Sequence, residues 1–471
     1  MKIKGLILVL VMAMLLSFAI PATPVSAVAY GTDFVTSITY MNVGTGEASI
    51  NFTFYAGESG TGIPVSVSNL AQYAASSLYV GSLSSISSGF QGSGIISSSQ
   101  PLVATLIQVP QSGTVLNRPL SNGFESGSDV VKIPTVLKNF YNTNTMFSIQ
   151  NVDSVGADIT VEFVPAGGGS TITDTITNLP AGSAKYYDMG TTSVISAGTF
   201  NGSVVVTSVQ TGTSTPGSVV ATSLEMSTIN DNTYAFEGVT TGGATVYMPS
   251  AFCNWGSGGA INSAFAVQNI DASATAQVTV DYAGGGSEGP IAIGPGAKYS
   301  FLGCTANSNG YIGSATITAT GADIVAVGKI YGNSLSTAYV GLNSGFETVA
   351  LPYVRWTESN WTDGTRQRVN FAIQNVGSGP IAAGDITVEF YDAAGTLQGT
   401  INNPSSIAVG GKWSTNASSI NAEFGYVGGF GGGAIVKGPT GAELAVIARA
   451  ETYLTSSTTA GEDYNGISIS P

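Results

Sequence analysis

Three observations predict an all-β fold built as four tandem two-sheet units. A strand phrase recurs along the chain, the composition favours strands and turns over helices, and a fixed order of landmarks returns about every 111 residues. The phrase is Phe147-Ser148-Ile149-Gln150-Asn151-Val152 followed by Ile159-Thr160-Val161-Glu162-Phe163. It returns as Phe265–Ile270 with Val278–Tyr282, and as Phe371–Val376 with Ile386–Tyr391. A worn copy, Ile38–Val43 with Ile50–Tyr55, stands first. Self-similarity of this period decides architecture before any single residue does.

Composition supports strands. Charged residues make up 9% of the chain against roughly 25% in ordinary soluble domains, and Gly, Ser, Thr and Asn carry the polarity instead. β-branched residues suit strands, while Gly and Asn suit turns. The aromatic and aliphatic content, placed in strand-like alternation, argues against disorder.

The first segment, 1–27, reads as a cleaved signal peptide. Lys2 and Lys4 precede an apolar run from Gly5 to Ile20, Pro21 and Pro24 break it, and Val25-Ser26-Ala27 supplies the small residues of a cleavage site. Ala27-Val28-Ala29 is an alternative site. The run is short for a bilayer span of about 20 residues. The remainder holds 12 basic and 28 acidic side chains, a net charge of −16 once the two leader lysines are removed. Nucleic acid and anionic membrane surfaces both demand clustered Lys and Arg, so neither is an expected partner. The expected location is extracellular, at the cell surface.

Residues 28–471 give 111 per copy, the size of a seven-strand immunoglobulin-like sandwich of about 100 residues. The predicted units are 28–126, 127–239, 240–347 and 348–471. Alternation in Ile159–Phe163 turns one face inward and the other to water. Asn151 and its counterparts are expected to cap backbone groups of the following turn. Gln150, Gln268 and Gln374 share that turn role or contact a ligand. An aromatic-x-Gly step opens a late strand at Phe90-Gln91-Gly92, Phe200-Asn201-Gly202, Tyr311-Ile312-Gly313 and Phe430-Gly431-Gly432, where glycine would permit positive φ. Each later copy begins with a short strand ending in proline: Val131-Lys132-Ile133-Pro134, Val246-Tyr247-Met248-Pro249 and Val349-Ala350-Leu351-Pro352. Proline suits a strand end or edge. The first copy lacks this leading strand.

The IQN phrase, the T-V-x-F-Y-D strand with its turn, the F-x-G-S step and the Leu-Pro junction together resemble the tandem immunoglobulin-like β-sandwich repeats of secreted bacterial cell-surface and S-layer-like proteins. The resemblance spans nearly all of residues 28–471. It implies a surface or matrix role and carries no active-site signature.

Candidate chemistry is sparse. The chain has no histidine, which removes Ser–His–Asp and Cys–His nucleophile pairs and His-ligated metals. No acidic calcium loop of the D-x-[DN]-x-[DN]-G type occurs. The sequence therefore points to no catalytic, cofactor-binding or metal-binding residue. Cys253 and Cys304 are expected to pair in an oxidising compartment, closing a loop of about 50 residues worth on the order of 4 kcal/mol in the chain-entropy model. Trp255, Trp356 and Trp361 follow the junction proline, where they either plug contacts between copies or stack on sugar rings. Trp413 reads as a mid-copy strand residue.

The tail, Tyr464-Asn465-Gly466-Ile467-Ser468-Ile469-Ser470-Pro471, looks like one more junction with nothing after it. Ile467, Ile469 and Pro471 are thus candidates for a strand donated head-to-tail to the first copy of a neighbour. The alternative has Ile467 and Ile469 closing the fourth copy while Val28–Val35 fills the first. The expected function is a secreted, non-enzymatic structural protein of a surface layer, sheath, filament or matrix, associating with itself or other surface components. The alternative is a glycan-binding adhesin. In either case the four copies are expected as beads on a string.

Overall fold

The computed structural model describes residues 28–111, 115–196, 198–356, 366–420, 431–453 and 459–469. It is all-β, with 59% of residues in strands and 3% in helices, and every strand pairing is antiparallel. No helix among the described residues is long and apolar enough to cross a membrane.

Strands β1 (Phe34–Asn42), β2 (Ile50–Ala56), β3 (Gly62–Ser66), β4 (Ala75–Tyr79), β5 (Gly92–Ser98), β6 (Leu102–Pro110) and β7 (Leu120–Asn122) form the first sheet pair, ordered β4-β1-β6-β7 and β3-β2-β5. The second contains β8 (Val130–Lys138), β9 (Thr143–Asn151), β10 (Ala157–Pro165), β11 (Ile172–Leu179), β12 (Ala184–Asp188), β13 (Phe200–Gln210), β14 (Val219–Ser227) and β15 (Thr233–Glu237), ordered β12-β9-β14-β15 and β11-β10-β13-β8. The third contains β16 (Thr245–Cys253), β17 (Asn262–Asn269), β18 (Ala276–Tyr282), β19 (Ser287–Ile293), β20 (Lys298–Leu302), β21 (Tyr311–Thr320), β22 (Ile324–Gly332) and β23 (Leu335–Val340), in the same two orders. The fourth contains β24 (Thr348–Val354), β25 (Arg366–Asn375), β26 (Thr387–Asp392), β27 (Leu397–Asn402), β28 (Lys412–Asn416), β29 (Gly432–Lys437), β30 (Leu444–Tyr453), β31 (Thr459–Asn465) and the short β32 (Ile467–Ser468).

Alternation builds each core. In β10, Ile159, Val161 and Phe163 are buried and meet Phe147 and Ile149 of β9. Phe265 with Val278 and Val280, and Phe371 with Val388 and Phe390, repeat this in the third and fourth pairs. Asn151 caps as expected: its Nδ2 donates to the carbonyls of Val155 (2.8 Å) and Leu179 (2.8 Å), and its Oδ1 accepts from the Asp153 amide (2.9 Å). Asn42, Asn269 and Asn375 make the same bonds in their own pairs.

Two local expectations are corrected. The junction prolines lie inside β8, β16 and β24. Pairing with the neighbouring strand skips Pro134-Thr135, Pro249-Ser250 and Pro352-Tyr353, a bulge in each case. A bulged residue is unpaired, so the missing N–H costs no ladder bond. The glycine of the aromatic-x-Gly step does not have positive φ. A Cβ on Gly92, Gly202 or Gly432 would instead strike the carbonyl oxygen of Tyr55, Val164 or Tyr391, at 2.0, 2.3 and 2.0 Å. At Gly92 and Gly202 the aromatic two residues earlier folds over the space.

The beads-on-a-string expectation is also corrected. The first pair packs on the second, the second on the third and the third on the fourth. The fourth returns to the first: the Ala75 amide donates to the Ala393 carbonyl (3.2 Å), and the Tyr73 and Tyr391 rings lie 4.6 Å apart. The chain is a closed ring. Its inner wall is β7, β15, β23 and β31, each touching the next around the circle.

Candidate functional site at the joints and axis

Three joints are built alike. Gln150 Nε2 donates to the carbonyls of Gly182 (3.1 Å) and Gly94 (3.5 Å), joining the second pair to the first. Gln268 does the same with Gly296 (3.1 Å) and Val204 (3.4 Å), and Gln374 with Gly410 (3.1 Å) and Ala315 (3.3 Å). A serine bolts each joint from the other side: Ser93 Oγ to Gly182 O, Ser203 Oγ to Gly296 O and Ser314 Oγ to Gly410 O, at 2.6, 2.6 and 2.7 Å. The three glutamines therefore hold neighbouring sheet pairs together. Their partners across the joints are main-chain carbonyls 56, 64 and 59 residues away, so no residue type in the sequence marked them.

The fourth joint uses other chemistry. Where the others have Gln, Gly and Ser, it has Met41, Tyr73 and Gly433. A Cβ on Gly433 would lie 2.5 Å from the Met41 sulfur, so the serine of the other joints does not fit there. Met41, Ala75, Val103, Ala350, Tyr391 and Ile435 form one apolar cluster across this seam.

The axis is polar. Asn117, fully buried, donates to the Ser334 carbonyl (3.0 Å) and the Asp231 carbonyl (3.3 Å), and accepts from the Ser336 and Gly461 amides (both 3.4 Å). One side chain thus touches the other three sheet pairs. Arg118 pairs with the buried Glu462 at 2.6 Å. Asn122 donates its amide to Glu237 and its Nδ2 to the Asn465 carbonyl (2.8 Å), and Asn465 exchanges two bonds with Val340 (2.7 and 2.9 Å). Burial pushes the Glu237 carboxyl up to about 7, opposed by its hydrogen bonds from the Asn122 amide and its own.

Cationic groups lie inside the joints, Lys298 and Arg449 among them. Lys298 of β20 donates to Thr135 Oγ1 of β8 (2.9 Å), beside the Lys329–Glu225 pair (2.5 Å). Burial drives the Lys298 ammonium down to about 7, Lys329 adds repulsion, and Glu225 opposes both. Its folded pKa lies below the unfolded one, so its contribution to stability is present above the unfolded value of about 10.4 and lost as pH falls through about 7. Lys298→Met is therefore expected to flatten a rise in stability of about 1.4 kcal/mol per pH unit across that window. Urea unfolding of both proteins from pH 7 to 10 reads the difference. Arg449 of β30 makes a two-point contact with Asp463 of β31 (2.8 and 2.9 Å) and lies over the Phe252 ring of the third pair.

The residues singled out from the sequence do not converge. Cys253, at the end of β16, and Cys304, in the one-turn helix Gly303–Ala306, are joined with an S–S distance of 2.09 Å. Trp255 follows at the next turn, 36% exposed, with its ring 5.4 Å from Phe252. Trp356 is 4% exposed in the fourth core with Arg368 over its ring, which leaves no face for a sugar. Trp361 lies outside the described residues. Trp413 sits in β28 opposite Ile373, as Tyr299 sits opposite Val267. In the second pair the matching turn holds Tyr141, 85% exposed.

The tail is occupied within its own chain. Ile467 pairs with Ala350 and Ser468 with Val349 of β24, while Ile467 and Ile469 pack on the apolar seam. This is the place that Val239 takes beside Lys132 and Leu342 takes beside Tyr247. Ile467 and Ile469 thus close the fourth pair rather than standing free for a neighbour, and Pro471 lies outside the described residues. Residues 28–35 do not supply the first pair's leading strand either, since Phe34 and Val35 already open β1. The Ala29 and Tyr30 amides donate to the carbonyls of Asn230 and Ser227 (both 2.9 Å), and Tyr30 Oη donates to Asp188.

Among the described residues no group of three or more Cys, Asp or Glu side chains is placed to hold a metal ion. Comparison with models of protein families finds no match, and comparison with curated proteins finds none either.

Proposed function

We propose that this chain is an exported, non-enzymatic structural protein of the cell surface. In this reading 1–27 is a signal peptide, and 28–126, 127–239, 240–347 and 348–471 are four immunoglobulin-like sandwiches. One observation carries the reading. The polar residues that recur from copy to copy, namely Gln150, Gln268 and Gln374 with Ser93, Ser203 and Ser314, are used in holding the copies to one another. Such an arrangement yields a rigid block with many exposed faces, suited to a layer or matrix in company with copies of itself or other surface components.

Immunogold electron microscopy of native cells tests this. Label on an ordered outer layer, sheath or filament is the expected result, and label confined to the cell interior overturns it.

A glycan-binding adhesin is the second reading, favoured by the exposed ring of Trp255 on a disulfide-anchored turn. Glycan-array binding that disappears in Trp255→Ala would support it.

A further inference from the structure

Three of the four sheet pairs begin with a leading strand seated in a two-sided slot. On one flank β8, β16 and β24 pair with β13, β21 and β29. On the other flank Lys132, Tyr247 and Ala350 pair with Val239, Leu342 and Ile467. Each leading strand also packs on the next pair around the ring: β8 on β17 and β22, β16 on β25 and β30, β24 on β1 and β6. Its inward side chains complete the core, as Val131, Ile133 and Val136 do in the second pair, each 0% exposed.

Among the described residues the first pair has the slot without the strand. Its sheet ends at β5, where Gly94, Ile95, Ile96 and Ser97 pair, among the described residues, with β2 alone. Register places Phe124 where Val239 stands, after a glycine whose amide bonds the same strand position: Gly123 to Ala104, as Gly238 to Ala221. The core beneath is incomplete. Ile96, Leu102 and Ala104 are only half-buried. The matching Val206, Val219 and Ala221 are buried in the second pair, as are Ile317, Ile324 and Ala326 in the third. The facing surface of the second pair is open too: Ser148 and Thr222 are half-buried, whereas the matching Ala266 and Val327 are covered by β8.

We propose that this slot accepts one extended strand from a second polypeptide. An open edge above a half-exposed core is a template for strand addition. The three filled slots define the chemistry of the occupant: Val-x-(Ile, Met or Leu)-Pro-x-(Val or Ala), apolar on alternate residues up to a bulge-forming proline. The chain's own described strands are committed. The tail is paired with β24, the three leading strands fill their own slots, and Ala29 and Tyr30 are bonded to the second pair. This inference rests on the four-unit reading and on removal of residues 1–27 during export.

The test uses the exported protein, its first residue read by N-terminal sequencing, and a fluorescent peptide carrying the sequence of Val130–Lys138. Saturable one-to-one binding is expected, with slowed hydrogen exchange at Gly94–Ser97 and a raised Tm. The same peptide with Val131→Asp and Ile133→Asp is expected to bind at least tenfold more weakly, since the face meant for the core is then charged. Because the changes are in the peptide, misfolding of the protein does not enter. A protein beginning at Val28 that fails to bind, binds both peptides equally or gains protection elsewhere overturns the proposal. So does a protein that retains residues ahead of Val28 and binds only after their removal, since the chain then fills its own slot; sequencing separates that outcome from failure of the export reading.

Discussion

Replacing Asp463 by alanine should cost about 3–5 kcal/mol, the loss expected when one partner of a buried ion pair is removed and the other stays behind. Asp463 is fully buried and Arg449 nearly so, and the two meet through a pair of parallel bonds of 2.8 and 2.9 Å. Without the carboxylate, the guanidinium loses its strongest charge partner and keeps the weaker compensation of the Phe252 ring and the Glu451 charge. The double variant Arg449→Met, Asp463→Leu should recover most of the loss, because replacing a buried pair with apolar groups of similar size is often neutral. Chemical denaturation of the three proteins gives the comparison. A loss under about 1 kcal/mol for Asp463→Ala would mean that water reaches the pair.

Gly395→Val should open the closing seam. Gly395 has a φ of +86°, and a Cβ there would sit 2.4 Å from the Gln72 carbonyl oxygen and 2.7 Å from the Ala74 nitrogen of the first pair. The backbone conformation alone costs about 1–3 kcal/mol for a side-chain-bearing residue. The clash is with backbone, which no rotamer relieves. Gly284→Val is the control: its φ is +70°, and nothing lies within 4 Å of the added carbon. Both variants should lose stability. Only Gly395→Val should raise the radius of gyration in X-ray scattering, by several Å above the roughly 22 Å of a compact chain of this length. Equal radii for the two variants would show that the axis alone keeps the ring shut.

Local structure was legible in the sequence, and long-range structure was not. Alternation in Ile159–Phe163 and the recurring Asn after Gln predicted a half-buried strand and a capped turn, because both depend on neighbours a few residues away. Misreadings arose where the deciding partner is remote. Gln150 looks like a turn residue until the Gly94 carbonyl is placed beside it. Gly92 looks like a positive-φ position until the Tyr55 carbonyl is seen to occupy the space of a Cβ. The tail looks unpaired because its partner strand, β24, begins well over 100 residues earlier. Ring closure left no signature of its own. The residues that make it, Met41, Tyr73 and Gly433, depart from the Gln, Gly and Ser of the other joints, and Met41 falls in the copy read as worn.

That departure has a consequence for copy number. Units joined by one kind of interface, each offering the same plug and socket, can go on adding until something stops them. Here the last plug lacks the hydroxyl that the earlier sockets accept, and the first socket is filled by a thioether and a phenol ring. Only these two termini match each other. The arrangement favours a circle of four within one molecule over a daisy chain of many, and restoring Gln at 41 and Ser at 433 would remove that preference.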